Sequence, residues 1–119
     1  MLLRYLAAFG LTLAVEVPIY VVSLTQAADV RWRRALVAAI GVNVVTHPAL
    51  WWGLRPFAHH HGYAGAAIAA ELLVCVVEWL LLVAWTRRPG RTRVDLLVLA
   101  AASLAANAAS VLAGLLVLT

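Results

Sequence analysis

Apolar residues run along this chain in four long blocks, and polar ones gather in the short gaps between them. The blocks cover Tyr5 to Leu24, Ala35 to Leu54, Tyr63 to Trp85 and Val94 to Leu118. Each reaches the roughly 20 residues that a helix needs to cross about 30 Å of hydrocarbon. No block alternates polar with apolar, and each is too long for a barrel strand, so helices are expected. Short gaps make successive helices antiparallel neighbours. The pattern predicts an all-α polytopic membrane protein, a single domain over residues 1–119 built as a bundle of four transmembrane helices.

The gaps carry the signals that stop and start helices. Asp29 precedes Trp32 and is expected to cap the second helix. Arg55-Pro56 ends that helix, and Gly62 precedes the third. Arg87-Arg88-Pro89-Gly90-Arg91 closes the third, after which Thr92 and Asp95 stand at capping-box spacing for the fourth.

Composition sharpens the class. Of 119 residues, 66% are hydrophobic and 12% charged, more apolar surface than a soluble domain of this size hides. The net charge of +4 sets nine arginines against five acidic residues, and most of the arginines lie in the gaps, which makes them topology signals and not a nucleic-acid footprint. The first and third gaps hold Arg31, Arg33, Arg34, Arg87, Arg88, Arg91 and Arg93, against Arg4 and Arg55 on the other side. By the positive-inside rule, the first and third loops are cytoplasmic and both termini lie outside. The aromatics agree, with Tyr5, Trp51, Trp52 and Tyr63 at the outer boundary and Trp32 and Trp85 at the inner one. The lone Cys75 forms no intramolecular disulfide and no Cys-based zinc site. No cleavable signal peptide, lipidation box or nucleotide-binding glycine loop is evident, and no motif implies a cofactor.

Within the apolar blocks, polar residues recur at helical spacing. Helix one offers Thr12, Glu16, Tyr20 and Ser23. Helix two offers Asn43, Thr46 and His47. Helix three offers Glu71 and Glu78, seven residues apart with Cys75 between them. Helix four offers Ser103, Asn107 and Ser110. Steps of three and four set each group on one face. At 1.5 Å per residue, Glu16, Asn43, Glu71, Glu78 and Asn107 lie roughly 13–18 Å from the nearest loop, so they share the middle of the membrane. Ser103, Ser110 and Thr46, taken singly, read as interhelical glue. Carboxyl groups do not, because no lysine or arginine lies at their depth and only His47 could become a cation there. A carboxylate left ionised in that setting needs a cation from outside; otherwise it is carried as the neutral acid. The candidate proton, cation or substrate site is therefore Glu16, Asn43, His47, Glu71, Glu78 and Asn107, with Tyr20, Thr46, Ser103 and Ser110 in support. Pro18 and Pro48 remove the hydrogen bonds to the carbonyls of Ala14 and Val44 and add acceptors close by. His47, His59 and His61 are the candidate metal ligands, although His59 to His61 read first as a solvated loop.

A faint internal repeat runs through these residues. Val15-Glu16 is matched by Val77-Glu78, and Asn43 with Thr46 by Asn107 with Ser110. The Glu-to-Asn intervals are 27 and 29 residues. Both hairpins run in the same direction, so the repeat would be parallel, about an axis along the membrane normal.

The combination of Glu16-Val17-Pro18, Asn43 with Thr46-His47-Pro48, Glu71 with Glu78, and Asn107 with Ser110 resembles uncharacterised bacterial four-helix integral membrane proteins over the whole chain. The resemblance implies the bacterial cytoplasmic (inner) membrane and brings no activity with it. A glutamate in the middle of helix one is also similar to small multidrug resistance transporters, which lack the further glutamates and the Thr-His-Pro element. Glutamate-dependent intramembrane proteases of the CAAX-processing type share the residue mixture, but their adjacent Glu-Glu pair and helix count are missing here.

Three functions stay open. Proton- or cation-coupled transport or ion binding ranks first, with the lipid bilayer as surroundings and a homodimer expected because four short helices make a thin wall. An accessory subunit of a larger membrane complex ranks second. Intramembrane hydrolysis, with a glutamate as general base and His47 as shuttle, ranks third. In helix four, Ala101, Ala105 and Ala109 repeat every four residues and are expected to pack against another helix, within the bundle or across a dimer.

The orientation is testable with a membrane-impermeant thiol reagent. Applied from outside, it should label a cysteine placed at position 60 and spare one at position 90. The reverse pattern would invert the topology.

Overall fold

In a bilayer no water is present to satisfy backbone N–H and C=O groups, so each apolar block satisfies its own by becoming a helix. A computed structural model describes residues 2–27, 30–54, 63–85 and 93–117. They form α1 (Leu2–Ala27), α2 (Trp32–Ala49) followed by a π-helical turn (Leu50–Leu54), α3 (Tyr63–Trp85) and α4 (Arg93–Val117). All four helices are long and apolar enough to cross a membrane. The bundle measures 44 Å along its long axis and 25 by 21 Å across. This is an all-α multi-pass membrane protein, as the hydrophobic pattern predicts.

The ends shift in instructive ways. α1 extends about a turn beyond its apolar block at both ends, because helix geometry does not stop where hydrocarbon does. α2 starts earlier than expected, with Arg31 at the N-cap position and no side-chain cap. The cap expected from Asp29 is thereby corrected, and Asp29 itself lies outside the described residues. The hairpin is closed instead by backbone, through Val30 N–H donating to Leu24 O at 3.1 Å, and the first turn of α2 is set by Ala35 N–H donating to Arg31 O at 2.9 Å. The last turn of helix two, expected to be regular to Leu54, widens into the π-helical turn just after Pro48. Proline cannot donate, and a ladder that lacks one rung commonly loosens there. The Thr92–Asp95 capping pair and the histidine loop fall outside the residues whose side chains are described.

The helices close into a ring in which α1 packs on α2 and α4, and α3 packs on the same two. Side-chain bonds show the neighbours to be antiparallel: Ser110 meets Thr12 while Ser103 meets Tyr20, and Trp79 Nε1 donates to Leu96 O while Ser103 Oγ donates to Cys75 O. One half of the bundle is dry. Leu24, Ala35, Ala39, Val42, Leu82 and Leu99 pack there without solvent exposure. Small residues let the helices approach. Gly41 shows the limit, since a methyl group built on it would fall on the indole of Trp85. Outward-facing Val37, Leu72, Leu73, Leu104, Leu112 and Leu116 form an apolar coat for lipid.

The alanine stripe of α4 does not pack inside the bundle. Ala101 and Ala105 are exposed, while Ala102, Ser103, Ala106 and Asn107 are buried. Alanine occurs on every face of this helix, so the two polar residues choose the inner face. Within a single chain, the inner face is therefore the one sensitive to added bulk. Ala106→Leu should overpack the core and cost about 1–3 kcal/mol. Ala105→Leu should leave the fold of a single chain unchanged. Thermal unfolding in detergent micelles checks both; equal melting temperatures would mean α4 is rotated from the placement described.

Candidate functional site

A carboxyl group at the centre of the bundle ties the four helices together. Glu78, on α3, is 1% exposed. Thr46 Oγ1, on α2, donates to its Oε1 at 2.6 Å. Asn107 Nδ2, on α4, donates to its Oε2 at 2.9 Å, and the Tyr20 hydroxyl, on α1, donates to the same oxygen. Tyr20 is fully buried and accepts from Asn107 Nδ2 at 3.3 Å. The Tyr20 hydroxyl also lies 3.4 Å from Ser103 Oγ, which donates in turn to the Cys75 carbonyl at 2.8 Å. Every donor to Glu78 is neutral. Helical spacing accounts for the convergence, because Tyr20, Thr46, Glu78 and Asn107 each lie on the polar stripe of their own helix.

Glu16 is as deeply buried, at 2% exposure, and is held differently. Asn43 and Ser110 stand beside it, and its Oε2 has no hydrogen-bond partner. Ser110 Oγ donates to Thr12 Oγ1 at 3.2 Å, which adds Thr12 to the hydroxyl-bearing residues of the interior. Asn43 Nδ2 donates back to Ala39 O at 3.0 Å, as Asn107 Nδ2 does to Ser103 O at 2.9 Å. Glu71 sits at the edge, half-buried, within electrostatic range of Glu16 and Glu78. Cys75, half-buried between the two α3 glutamates, is in range of all three carboxyls. The expected cluster thus divides into a saturated centre at Glu78, a partly paired Glu16 and a peripheral Glu71.

His47 belongs to a different setting. Its ring lies 5.0 Å from Phe9, 5.4 Å from Tyr5 and 6.4 Å from Trp51 by centroid, and Tyr5 packs further against Trp52 in a tilted pair at 4.5 Å. Its Nδ1 is buried without a hydrogen-bond partner. Among the described residues no three His, Cys, Asp or Glu side chains gather as metal ligands would. His59 and His61 lie outside them. Ser23 turns back on its own helix, donating to Ile19 O at 2.7 Å, and takes no part in the site.

Two features are less legible in the sequence. Tyr20, assigned a supporting place, bonds directly to the central carboxyl; a tyrosine in mid-span, away from the interfacial belts, was the signal. The aromatic surroundings of His47 from α1 join residues 38 and 42 positions apart, a pairing that no local pattern encodes. Comparison with known protein families, characterised proteins and solved structures gives no match.

The central bonds make a stability prediction. Glu78→Ala removes the shared acceptor of three buried donors, each of which keeps one other partner (Thr46 with Val42 O, Asn107 with Ser103 O, Tyr20 with Ser103 Oγ), and should cost about 1–3 kcal/mol. Tyr20→Phe removes one donor and should cost about 1–2 kcal/mol. Chemical denaturation in micelles, followed by helical circular dichroism, measures both. An unchanged midpoint for Glu78→Ala would remove Glu78 from its central role.

Proposed function

We propose that the chain binds a proton or small cation at its buried carboxyls and couples that binding to transport across the membrane. The observation that carries this reading is the pair Glu16 and Glu78, both almost fully buried within the spans and neighboured by neutral donors. Holding helices together does not require ionisable groups, since Asn, Ser and Thr do so at less cost. A glutamate differs from those residues in being able to change its charge. The dimer expected from the thin wall would use the exposed Ala101–Ala105 face of α4, which is also the surface that an accessory subunit would offer to a larger complex. Hydrolysis draws less support, because His47 packs among aromatic rings with Nδ1 unbonded.

Reconstitution in liposomes tests the reading. With an imposed pH or sodium gradient, protein-loaded vesicles should relax faster than empty ones, and Glu16→Gln should return the rate to that of empty vesicles. Relaxation no faster than in empty vesicles, together with co-purification of a larger membrane complex, would replace transport with the accessory role.

A further inference from the structure

The internal repeat marks one carboxyl seat as unfinished. A shift of 62 residues carries Glu16 onto Glu78, and a shift of 64 carries Asn43 onto Asn107 and Thr46 onto Ser110. In the ring of helices these shifts exchange α1 with α3 and α2 with α4, as a two-fold axis along the bundle would. The bonding follows the same exchange. Glu78 is neighboured by Asn107 and Thr46, and Glu16 by Asn43 and Ser110, the equivalent pair. Each asparagine donates to the carbonyl four residues before it, at 3.0 Å for Asn43 and 2.9 Å for Asn107.

Among the three donors to Glu78, the equivalence breaks at one. Tyr20 donates to Glu78, and the 62-residue shift carries Tyr20 onto Leu82, which has no donor to give. Glu16 consequently has the amide and hydroxyl neighbours of its counterpart and lacks the third donor. The oxygen without a partner, Glu16 Oε2, is buried in a residue 2% exposed.

We propose that Glu16 is the ligand seat and that a small monovalent cation, a hydrated proton or a sodium-like ion, takes the place that the Tyr20 hydroxyl holds at Glu78. One carboxylate balances one charge, and the surrounding Asn43, Ser110 and Thr12 offer hard oxygen atoms of the kind such ions prefer. Glu78 is then the fixed member of the pair and Glu16 the exchanging one. The titratable groups that face Glu16 are Glu78, Glu71 and Cys75 from α3 and Tyr20 from its own helix, while α2 and α4 present neutral Asn43 and Ser110. This inference rests on the transport reading for its purpose, and its test does not depend on flux.

The test is carboxyl infrared difference spectroscopy on the full chain in lipid nanodiscs, once with a pH titration and once with sodium chloride against choline chloride at fixed pH. A carboxyl band that responds and is lost in Glu16→Gln is expected; response to pH alone identifies the proton, and response to sodium at fixed pH identifies the metal ion. Leu112→Ala, on the lipid-facing surface, should keep the response. The exchange Tyr20→Leu with Leu82→Tyr closes the seat at Glu16 and opens one at Glu78, so the responsive band should survive Glu16→Gln in that background. Should the exchanged protein fail to fold, as judged by size exclusion and circular dichroism, the Glu16→Gln comparison decides alone. A responsive band that survives Glu16→Gln in the otherwise native chain, or no response to either ion, overturns the proposal. A Glu16 response without flux would leave the seat standing and overturn transport; flux unaffected by Glu16→Gln would do the opposite.

Discussion

The arrangement depends on one constraint: a carboxyl group placed in the middle of a membrane must be met from every side. At Glu78 three helices answer the demand of the fourth, with a hydroxyl from α2, an amide from α4 and a phenol from α1. Each bond is modest by itself, since hydrogen bonds between membrane helices average about 0.6 kcal/mol. Their collective weight comes from the alternative, because a carboxyl stranded in hydrocarbon with its donors unpaired costs several kcal/mol. Apolar packing against lipid offers little reason for four helices to adopt one rotation over another. The requirement to satisfy Glu78 does, and it sets which face of each helix turns inward.

That ordering explains what was legible beforehand. Four spans, their limits to within about a turn, and the polar residues that share the interior follow from apolar length and helical spacing. The division of labour among three glutamates does not follow, because spacing places Glu71 and Glu78 on one stripe equally well. Their difference is tertiary: Glu78 is opposite Tyr20, Thr46 and Asn107, and Glu71 lies nearer the edge of the bundle. The rotation of α4 was hidden for a related reason. A four-residue alanine spacing signals close packing where alanine is scarce, and in a helix with Ala100, Ala101, Ala102, Ala105, Ala106, Ala108 and Ala109 it selects no face.

The two halves of the bundle differ in chemistry. Towards the α1–α2 hairpin the interior is Leu24, Ala35, Ala39, Val42, Leu82 and Leu99, packed dry. Towards the start of α1 it becomes polar in steps, from Tyr20 and Glu16 to Thr12 with Ser110, then to His47 among Tyr5, Phe9 and Trp51. An ion leaving Glu16 would meet oxygen atoms in one direction and hydrocarbon in the other. On the proposed reading, the dry half would act as a seal and the polar half as the approach, closed at its end by rings instead of by aliphatic packing.

The broken two-fold relation then has a physical rationale. If both carboxyls were paired internally, with a tyrosine at position 82 as well as at 20, neither Glu16 nor Glu78 would have an oxygen to offer. If neither were, two buried carboxyls would lack donors at once, and the helices would lose the interaction that sets their rotation. Filling one seat from within and leaving the other open separates the two requirements. On the proposed reading, Glu78 with Tyr20 would supply the fixed framework, and Glu16, with Leu82 where a donor would otherwise stand, would keep a buried oxygen available without loosening that framework.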